Sequence, residues 1–268
     1  MLVRAETTYV GPRGRYSTYR VRLTSTTGLI ATGRLLRPAH GAGPWPAMLL
    51  NDGRELNSGA IDYLPPDFGD VVVLSLDYPA AIPYDAHATD LVVHGGALRE
   101  AGRHIAALFS VGAAYLAGRS DVDSTRLGIA ATSFAVPFAV IAAATDAHFH
   151  AVALIYGAGD FPRVLAANLA TRPPALRRPL AWIATRPLAP LEPTRFVARV
   201  APRPLVMVNG AGDPQMPREA VVSLYDAAHQ PKTLIWLRTG HLMPGDSTLI
   251  RQLVDTAFAR LPILQKKE

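Results

Sequence analysis

The chain has 268 residues, of which 49% are hydrophobic and 18% are charged, and its formal net charge is +6. This composition allows a sizeable buried core and excludes a largely disordered chain. The sequence contains no cysteine, which excludes disulfides, thiolate metal sites and cysteine nucleophiles. The arginines are spread along the chain rather than clustered, so we expect no nucleic-acid partner.

The sequence also predicts no membrane partner. Residues 1–16 lack the apolar segment of a signal peptide. The most apolar helical stretch, residues 104–118, is too short to span a bilayer and is flanked by Arg103 and Arg119. We therefore expect a soluble, cytoplasmic protein.

The first predicted elements are two β-like segments, residues 16–24 and 29–38, which the turn between them joins into an N-terminal antiparallel hairpin. After a Pro/Gly-rich connector the chain alternates between apolar strands and helical stretches. The predicted strands cover residues 47–51, 71–77, 126–132, 151–157, 203–210 and 233–238. The predicted helices cover residues 98–116, 135–145, 218–229 and 246–261, the last one capped by Asp246.

This alternation predicts a single α/β domain over residues 1–268, with a mostly parallel, twisted sheet and helices on both faces. Residues 160–201 interrupt the rhythm, because they are rich in proline and suggest only short helical pieces. We expect them to form a small helical cap insertion over one end of the sheet.

Polar or reactive side chains follow the predicted strands where the strands end, and these ends are where parallel sheets bind ligands. In chain order the residues at these strand ends are Asp52, Gly53 and Arg54, then Ser133, Asp160, Asp213 and His241. A serine, then an acid, then a histidine is the chain order of the α/β-hydrolase triad, and it differs from the orders of the two main serine-protease folds.

Three segments carry a resemblance to a known family: IAATSFA (129–135), APRPLVMVNGAGDPQMP (201–217) and LIWLRTGH (234–241). They look like the nucleophile elbow, the acid loop and the histidine loop. From about residue 16 onward the chain resembles the α/β-hydrolase superfamily, in particular its small dienelactone-hydrolase-like esterases. The resemblance implies a triad of Ser133, Asp213 and His241.

The same resemblance implies an oxyanion hole made of two backbone N–H groups. One comes from Phe134, at the start of the helix after the elbow. The other comes from the loop after residues 47–51, where Arg54 is preferred and Gly53 is the near alternative. For the acid, Asp160 competes with Asp213, because the triad acid can follow more than one strand.

The sequence departs from the family pattern at the elbow, where Ala131 and Ala135 stand in place of the usual glycines. Alanine adds one methyl group at each position, so a slightly wider elbow is expected. Dienelactone hydrolases use a cysteine nucleophile, which this chain lacks. The resemblance therefore concerns fold and ester cleavage and does not extend to that substrate.

Two other motifs are weaker candidates for chemistry. The histidines of HFH (148–150) have a metal-like spacing, but they precede a strand and so lie at the opposite end of the sheet. HGG (94–96) opens a helix, whereas the glycine motif of lipases follows a strand. We expect no metal and no cofactor.

The function predicted from the sequence is a serine carboxylesterase that acts through an acyl-enzyme on small or short-chain esters, with the ester and water as its partners. Leucines and a tryptophan of the cap indicate an apolar pocket. A serine peptidase or amidase on the same fold, or a catalytically inactive hydrolase fold that binds ligands, are the alternatives.

Overall fold

A nine-stranded sheet forms the centre of the protein, for which the computed structural model describes residues 2–53, 56–79, 93–169, 174–242 and 245–265. The strands are β1 (Leu2–Arg13), β2 (Tyr16–Ser25), β3 (Ile30–Pro38), β4 (Trp45–Asn51), β5 (Val72–Leu76), β6 (Val122–Thr132), β7 (Ala151–Ile155), β8 (Leu205–Gly210) and β9 (Lys232–Leu237). Their order across the sheet is β1-β2-β3-β5-β4-β6-β7-β8-β9.

The sheet is mostly parallel, as predicted. From β5 through β4 and on to β9, each neighbouring pair is parallel. Among the first three strands each neighbouring pair is antiparallel, and β3 joins the sheet antiparallel to β5. The predicted N-terminal hairpin is confirmed as β2 and β3.

β1 was not predicted from the sequence. It pairs with β2 almost along its whole length and forms one edge of the sheet. Nearly all of its described side chains are exposed. Because backbone pairing rather than burial forms this strand, it lacks the apolar pattern on which sequence analysis depends.

Six α-helices are described: α1 (Gly95–Ala117), α2 (Val136–Thr145), α3 (Phe161–Asn168), α4 (Arg177–Thr185), α5 (Arg218–Ala227) and α6 (Ser247–Phe258). Alternate residues of the fully buried β4 enter two separate cores, since a strand points successive side chains to opposite faces. Leu49 packs in the core that contains α1, α2 and α5, whereas Met48 packs in the core that contains α6. Helices therefore cover both faces.

The boundaries of the later helices follow local sequence signals. Asp246 caps α6 as expected, because its carboxylate accepts the N–H of Leu249 at 2.9 Å.

Among the described helices, none combines the length and the apolar character needed to cross a lipid bilayer.

The chain between β7 and β8 contains α3, α4 and several short 3₁₀ helices, at Pro174–Leu176, Arg186–Leu191, Pro193–Arg195 and Val197–Val200. The carboxylate of Glu192 ties the later part of this insertion to the start of α3, because it accepts the N–H groups of Asp160 and Phe161, each at 2.9 Å. Whether the insertion acts as a cap over a substrate stays a prediction.

Candidate active site

Ser133 stands at a sharp turn from strand to helix. It follows the last residue of β6 and begins a 3₁₀ turn, Ser133–Ala135, that leads directly into α2. Its φ is 50°, in the left-handed region that non-glycine residues adopt only at a cost in free energy. Ala131 and Ala135, two residues to either side, are fully buried. A strained serine on a strand-to-helix turn is the geometry of a nucleophile elbow.

Hydrogen bonds join Ser133, His241 and Asp213 in one chain. The Nε2 atom of His241 lies 3.3 Å from Ser133 Oγ, and its Nδ1 atom lies 2.6 Å from Asp213 Oδ2. The other carboxylate oxygen of Asp213 accepts the N–H groups of Gln215 and Met216 at 2.8 and 3.2 Å. The Asp213 side chain is 0% exposed and that of His241 is 11% exposed. The carboxylate is thus fixed on both sides, and it fixes the imidazole.

Asp160, the competing acid, has a different set of partners. Its carboxylate accepts the N–H of Arg163 at 3.2 Å and the Nε–H of the same residue at 2.8 Å. These bonds cap the first turn of α3. The geometry of Asp160 is therefore that of a helix cap in the insertion.

Two residues that the sequence analysis missed hold the loop of His241. The ring centroid of Tyr156 lies 5.0 Å from that of the His241 imidazole, and the Tyr156 hydroxyl lies 3.0 Å from Thr239 Oγ1. Gly210 ends β8 where the loop passes closely: a Cβ atom there would lie 2.6 Å from the carbonyl oxygen of Gly240. Such a contact excludes any larger residue without a shift of the loop. The only sequence signals were a tyrosine and a glycine at strand ends.

Backbone N–H groups that could bind an oxyanion come from two loops. Phe134 lies in the 3₁₀ turn Ser133–Ala135 that leads into α2, and the first N–H groups of a helix lack acceptors within it. The N–H of Gly53 donates to Asp52 Oδ1 at 2.6 Å, so it already has an acceptor. Arg54, the preferred second donor, lies outside the described residues.

Tyr78 connects these two loops. Its hydroxyl donates to the backbone carbonyl of Asp52, and its own N–H donates to Asn57 Oδ1 at 3.0 Å. Its ring packs edge to face against Phe134, with 5.4 Å between the ring centroids. Burial raises the pKa of Tyr78, which keeps the hydroxyl protonated as a donor. One side chain thus fixes the Asp52 loop relative to the elbow.

Asp52 places a second carboxyl group near the histidine. Burial raises the pKa of Asp52, while the N–H of Gly53 and the neighbouring His241 act in the opposite direction. In the sequence, Asp52 stands out only as a residue that follows a predicted strand. Its position beside His241 depends on a contact between loops that no sequence pattern predicts.

An apolar cavity of about 390 Å³ opens beside Ser133. Its walls come from α1, from the first residues of α2, from α3 and from the 3₁₀ segment Arg186–Leu191. Leu165 and Val164 of α3 and Leu98 of α1 are among its lining residues. The insertion between β7 and β8 therefore forms one side of a cavity that reaches the nucleophile candidate.

Of the two weaker motifs, HFH lies away from this cavity. His148 pairs with Asp146 at 2.6 Å before β7 begins, which is the opposite end of the parallel sheet from Ser133. Gly95 of HGG begins α1, as expected. In the part of the chain that the structure describes, no three His, Asp or Glu side chains gather so as to hold a metal ion.

Solved structures with the same fold include several hydrolases. An acetyl xylan esterase from Paenibacillus sp. R4 superposes with a TM-score of 0.69 at 16% identity, over 95% of this chain and 89% of that one. Acetyl xylan esterase 1 from Thermoanaerobacterium sp. JW/SL YS485 gives a TM-score of 0.63 at 17% identity, over 94% and 87%. The α/β hydrolase GrgF from Penicillium sp. sh18 gives 0.61 at 19% identity, over 90% and 99%.

No protein-family model matches the sequence, and no curated protein sequence matches it significantly. The likeness to the solved structures is therefore one of fold, and at these identities it does not separate subfamilies. The resemblance to dienelactone-hydrolase-like esterases in particular stays a prediction. The chain has the α/β-hydrolase fold.

Proposed function

We propose that the protein is a serine hydrolase that cleaves carboxylic esters through an acyl-enzyme, with Ser133 as nucleophile, His241 as general base and Asp213 as the acid that orients it. The observation that carries the proposal is the continuous hydrogen-bonded chain from Asp213 through His241 to a strained Ser133. A serine hydroxyl is a weak nucleophile unless a correctly oriented base lies within hydrogen-bond reach. Fold neighbours with esterase names support the reaction class.

The first half of the reaction forms the acyl-enzyme. Ser133 Oγ attacks the ester carbonyl carbon while His241 Nε2 takes the hydroxyl proton. Asp213 accepts a hydrogen bond from Nδ1 and stabilises the imidazolium that results. The oxyanion binds the N–H groups of Phe134 and Arg54, and losing one such donor costs about 3–4 kcal/mol of transition-state stabilisation. The C–O bond to the alcohol then breaks, and His241 protonates the leaving oxygen.

The second half regenerates the enzyme. A water molecule enters, His241 removes its proton, and the resulting hydroxide attacks the acyl carbon on Ser133. Collapse of the tetrahedral intermediate breaks the bond to Oγ, which regains a proton from His241, and the carboxylic acid product leaves and loses its own proton to water. We propose Arg54 rather than Gly53 as second oxyanion donor, because the Gly53 N–H is bonded to Asp52.

We propose small esters as the substrates, since the cavity beside Ser133 lies at the small end of the range for ligand sites, about 300–1,000 Å³. The ester and water are the partners that this chemistry needs. A cytoplasmic location stays a prediction from the sequence.

Turnover of nitrophenyl esters tests the proposal. The wild type should hydrolyse esters of short acids, and Ser133→Ala should lose at least about a thousandfold in kcat. Asp213→Asn should lose roughly 10³–10⁴-fold, whereas Asp160→Asn, the matched control, should lose only a helix cap and keep its kcat. Full activity in Asp213→Asn would overturn the assignment of the acid.

The same assay separates the alternatives. A peptidase or amidase would hydrolyse nitroanilides of short acids well above the rate of Ser133→Ala, whereas an esterase would hydrolyse only the nitrophenyl esters at such a rate. A binding protein on a hydrolase fold would hydrolyse neither class above the rate of Ser133→Ala.

A further inference from the structure

The cavity beside Ser133 lies on the acyl side of the proposed reaction. Ser133 and Phe134 contribute to its lining, and His241 is not among the described residues that do. In the proposed reaction His241 must reach the leaving alcohol to protonate it, so the alcohol leaves on the histidine side. The acyl group stays bonded to Ser133 and needs space away from the histidine. The position of the cavity fits the acyl group.

The lining of the cavity is poorly suited to a sugar or another polar group. Apart from Ser133, the polar side chains among its described lining residues are Asn168 and Thr185. The Thr185 hydroxyl donates to Ala181 O at 2.8 Å, and the Asn168 amide donates to Val164 O and Gln215 O at 2.8 and 2.9 Å. Because these donors are already used, hydroxyl groups buried in this cavity would lose their water without adequate replacement partners.

The size of the cavity exceeds what an acetyl group can fill. Its volume is about 390 Å³, and a water-sized group occupies ~30 Å³ in a liquid. An acetyl group would leave most of an apolar cavity unfilled, and so would gain little from burial. By the same measure a four-carbon chain occupies about a third of the 390 Å³, and an eight-carbon chain or one aromatic ring occupies about half or more of it.

We propose that this cavity selects esters of apolar acids with an acyl group of about four to eight carbons, or a single aromatic ring, and disfavours acetyl esters. The proposal rests on the proposed serine-esterase function and adds the class of acyl group. It sets this chain apart from the two acetyl xylan esterases of the same fold, whose names specify a two-carbon acyl group.

Leu165 of α3 is the position that tests the cavity directly, because it lines the cavity from the insertion and is only partly buried. The larger side chain of Leu165→Trp reduces the space for a long acyl chain. Leu180→Trp is a matched control, because Leu180 lies on α4 of the same insertion, is 40% exposed and is not among the described lining residues.

The experiment measures kcat/KM for nitrophenyl acetate, butanoate, hexanoate, octanoate and dodecanoate. The wild type should prefer hexanoate over acetate by at least about tenfold, and dodecanoate should be poorer than octanoate. Leu165→Trp should lose about tenfold or more on octanoate while acetate changes less than about twofold, and Leu180→Trp should keep the wild-type profile.

Two results overturn the proposal while leaving the esterase function intact. One is a wild type that hydrolyses acetate best, with rates that fall steadily with chain length. The other is a folded Leu165→Trp that loses the same factor on every ester. A wild type that hydrolyses no ester of the series contradicts the esterase function itself, and the acyl selectivity with it.

Discussion

The hydroxyl of Tyr78 donates a hydrogen bond to the backbone carbonyl of Asp52, while the ring of the same residue packs against Phe134. The two contacts fix the loop after β4 relative to the loop after β6. These are the two loops from which the proposed oxyanion donors come. We therefore expect Tyr78 to be a positioning residue, which acts on the proposed reaction through these two loops.

Tyr78→Phe keeps the ring and removes only the hydroxyl. We expect kcat for a short ester to fall about ten- to a hundredfold with little change in KM, because a misplaced oxyanion donor weakens transition-state binding more than substrate binding. Steady-state kinetics measure the split between the two constants.

Tyr115→Phe is the matched control, because it removes a hydroxyl that accepts a 2.7 Å hydrogen bond from Arg119 far from the site. Each variant should lose about 0.5–1.5 kcal/mol of unfolding free energy, but only Tyr78→Phe should lose kcat. If the two variants have equal kcat, Tyr78 does not position the proposed oxyanion donors.

Gly210 provides a test of the histidine loop. Gly210→Ala places a Cβ atom 2.6 Å from Gly240 O and 2.7 Å from Thr239 O, so the loop that carries His241 must move. Because a shift of about 1 Å can cost a hundredfold in rate, we expect kcat/KM to fall by roughly that factor.

Gly212→Ala is its control in the same segment, since the nearest atom to the added Cβ, Thr239 O, lies 3.4 Å away. This variant should keep most of the wild-type kcat/KM. A folded Gly210→Ala with the kcat/KM of the wild type would show that the close approach does not position His241.

The alanines of the elbow make a third prediction. Ala131 and Ala135 are both fully buried beside a serine in a left-handed conformation. Replacement of either by glycine should preserve activity, because the smaller residue relieves crowding. Replacement of either by valine should abolish activity, because two more methyl carbons enter a close-packed interior. Circular dichroism and thermal unfolding identify the variants that still fold, and two folded valine variants with full activity would contradict a crowded elbow.

The partly buried Asp52, whose pKa desolvation raises, predicts a pH dependence of stability. Its pKa in the folded state is raised above the ordinary value of 3.8, so the folded state binds the proton more tightly than the unfolded chain does. As pH rises from 3.8 through the raised pKa, the wild type loses stability relative to Asp52→Asn, which has no charge to bury. Above that window the difference should be constant.

Asp67 is the control with the opposite sign. A hydrogen bond from Arg251 lowers the pKa of the exposed Asp67 carboxyl, so its contribution is present above 3.8 and is lost as pH falls through the lowered pKa. Urea unfolding of the wild type, Asp52→Asn and Asp67→Asn between pH 3 and 8 measures the stability difference of each variant from the wild type. A stability difference between the wild type and Asp52→Asn that does not change with pH would contradict the burial of a charged Asp52.

The parts of the fold that depend on local pattern were predictable. The apolar strands β4 to β8, the helices that alternate with them and the β2–β3 hairpin all carry their signals in short segments of sequence. β1 does not, because pairing at an exposed edge places few demands on side chains. The crossover that places β5 between β3 and β4 depends on contacts between segments far apart in sequence.

The residues of the candidate site also divide into those that the sequence predicts and those that depend on contacts between distant segments. Ser133, Asp213 and His241 follow strands in a known order, so the sequence could name them before the structure brought them together. Tyr78 and Tyr156 act through loops that meet only in the folded chain, and no local pattern marks them.

The most direct test of the account is covalent labelling of the wild type with a fluorophosphonate, followed by mass spectrometry of the proteolysed protein. A fluorophosphonate reacts with a serine that a neighbouring base activates, as the chain from Asp213 through His241 to Ser133 would. The account predicts one phosphonyl group on the peptide that contains Ser133, none in Ser133→Ala, and loss of ester turnover in step with labelling. A folded wild type that gains no adduct at Ser133, or an equal adduct in Ser133→Ala, would contradict it.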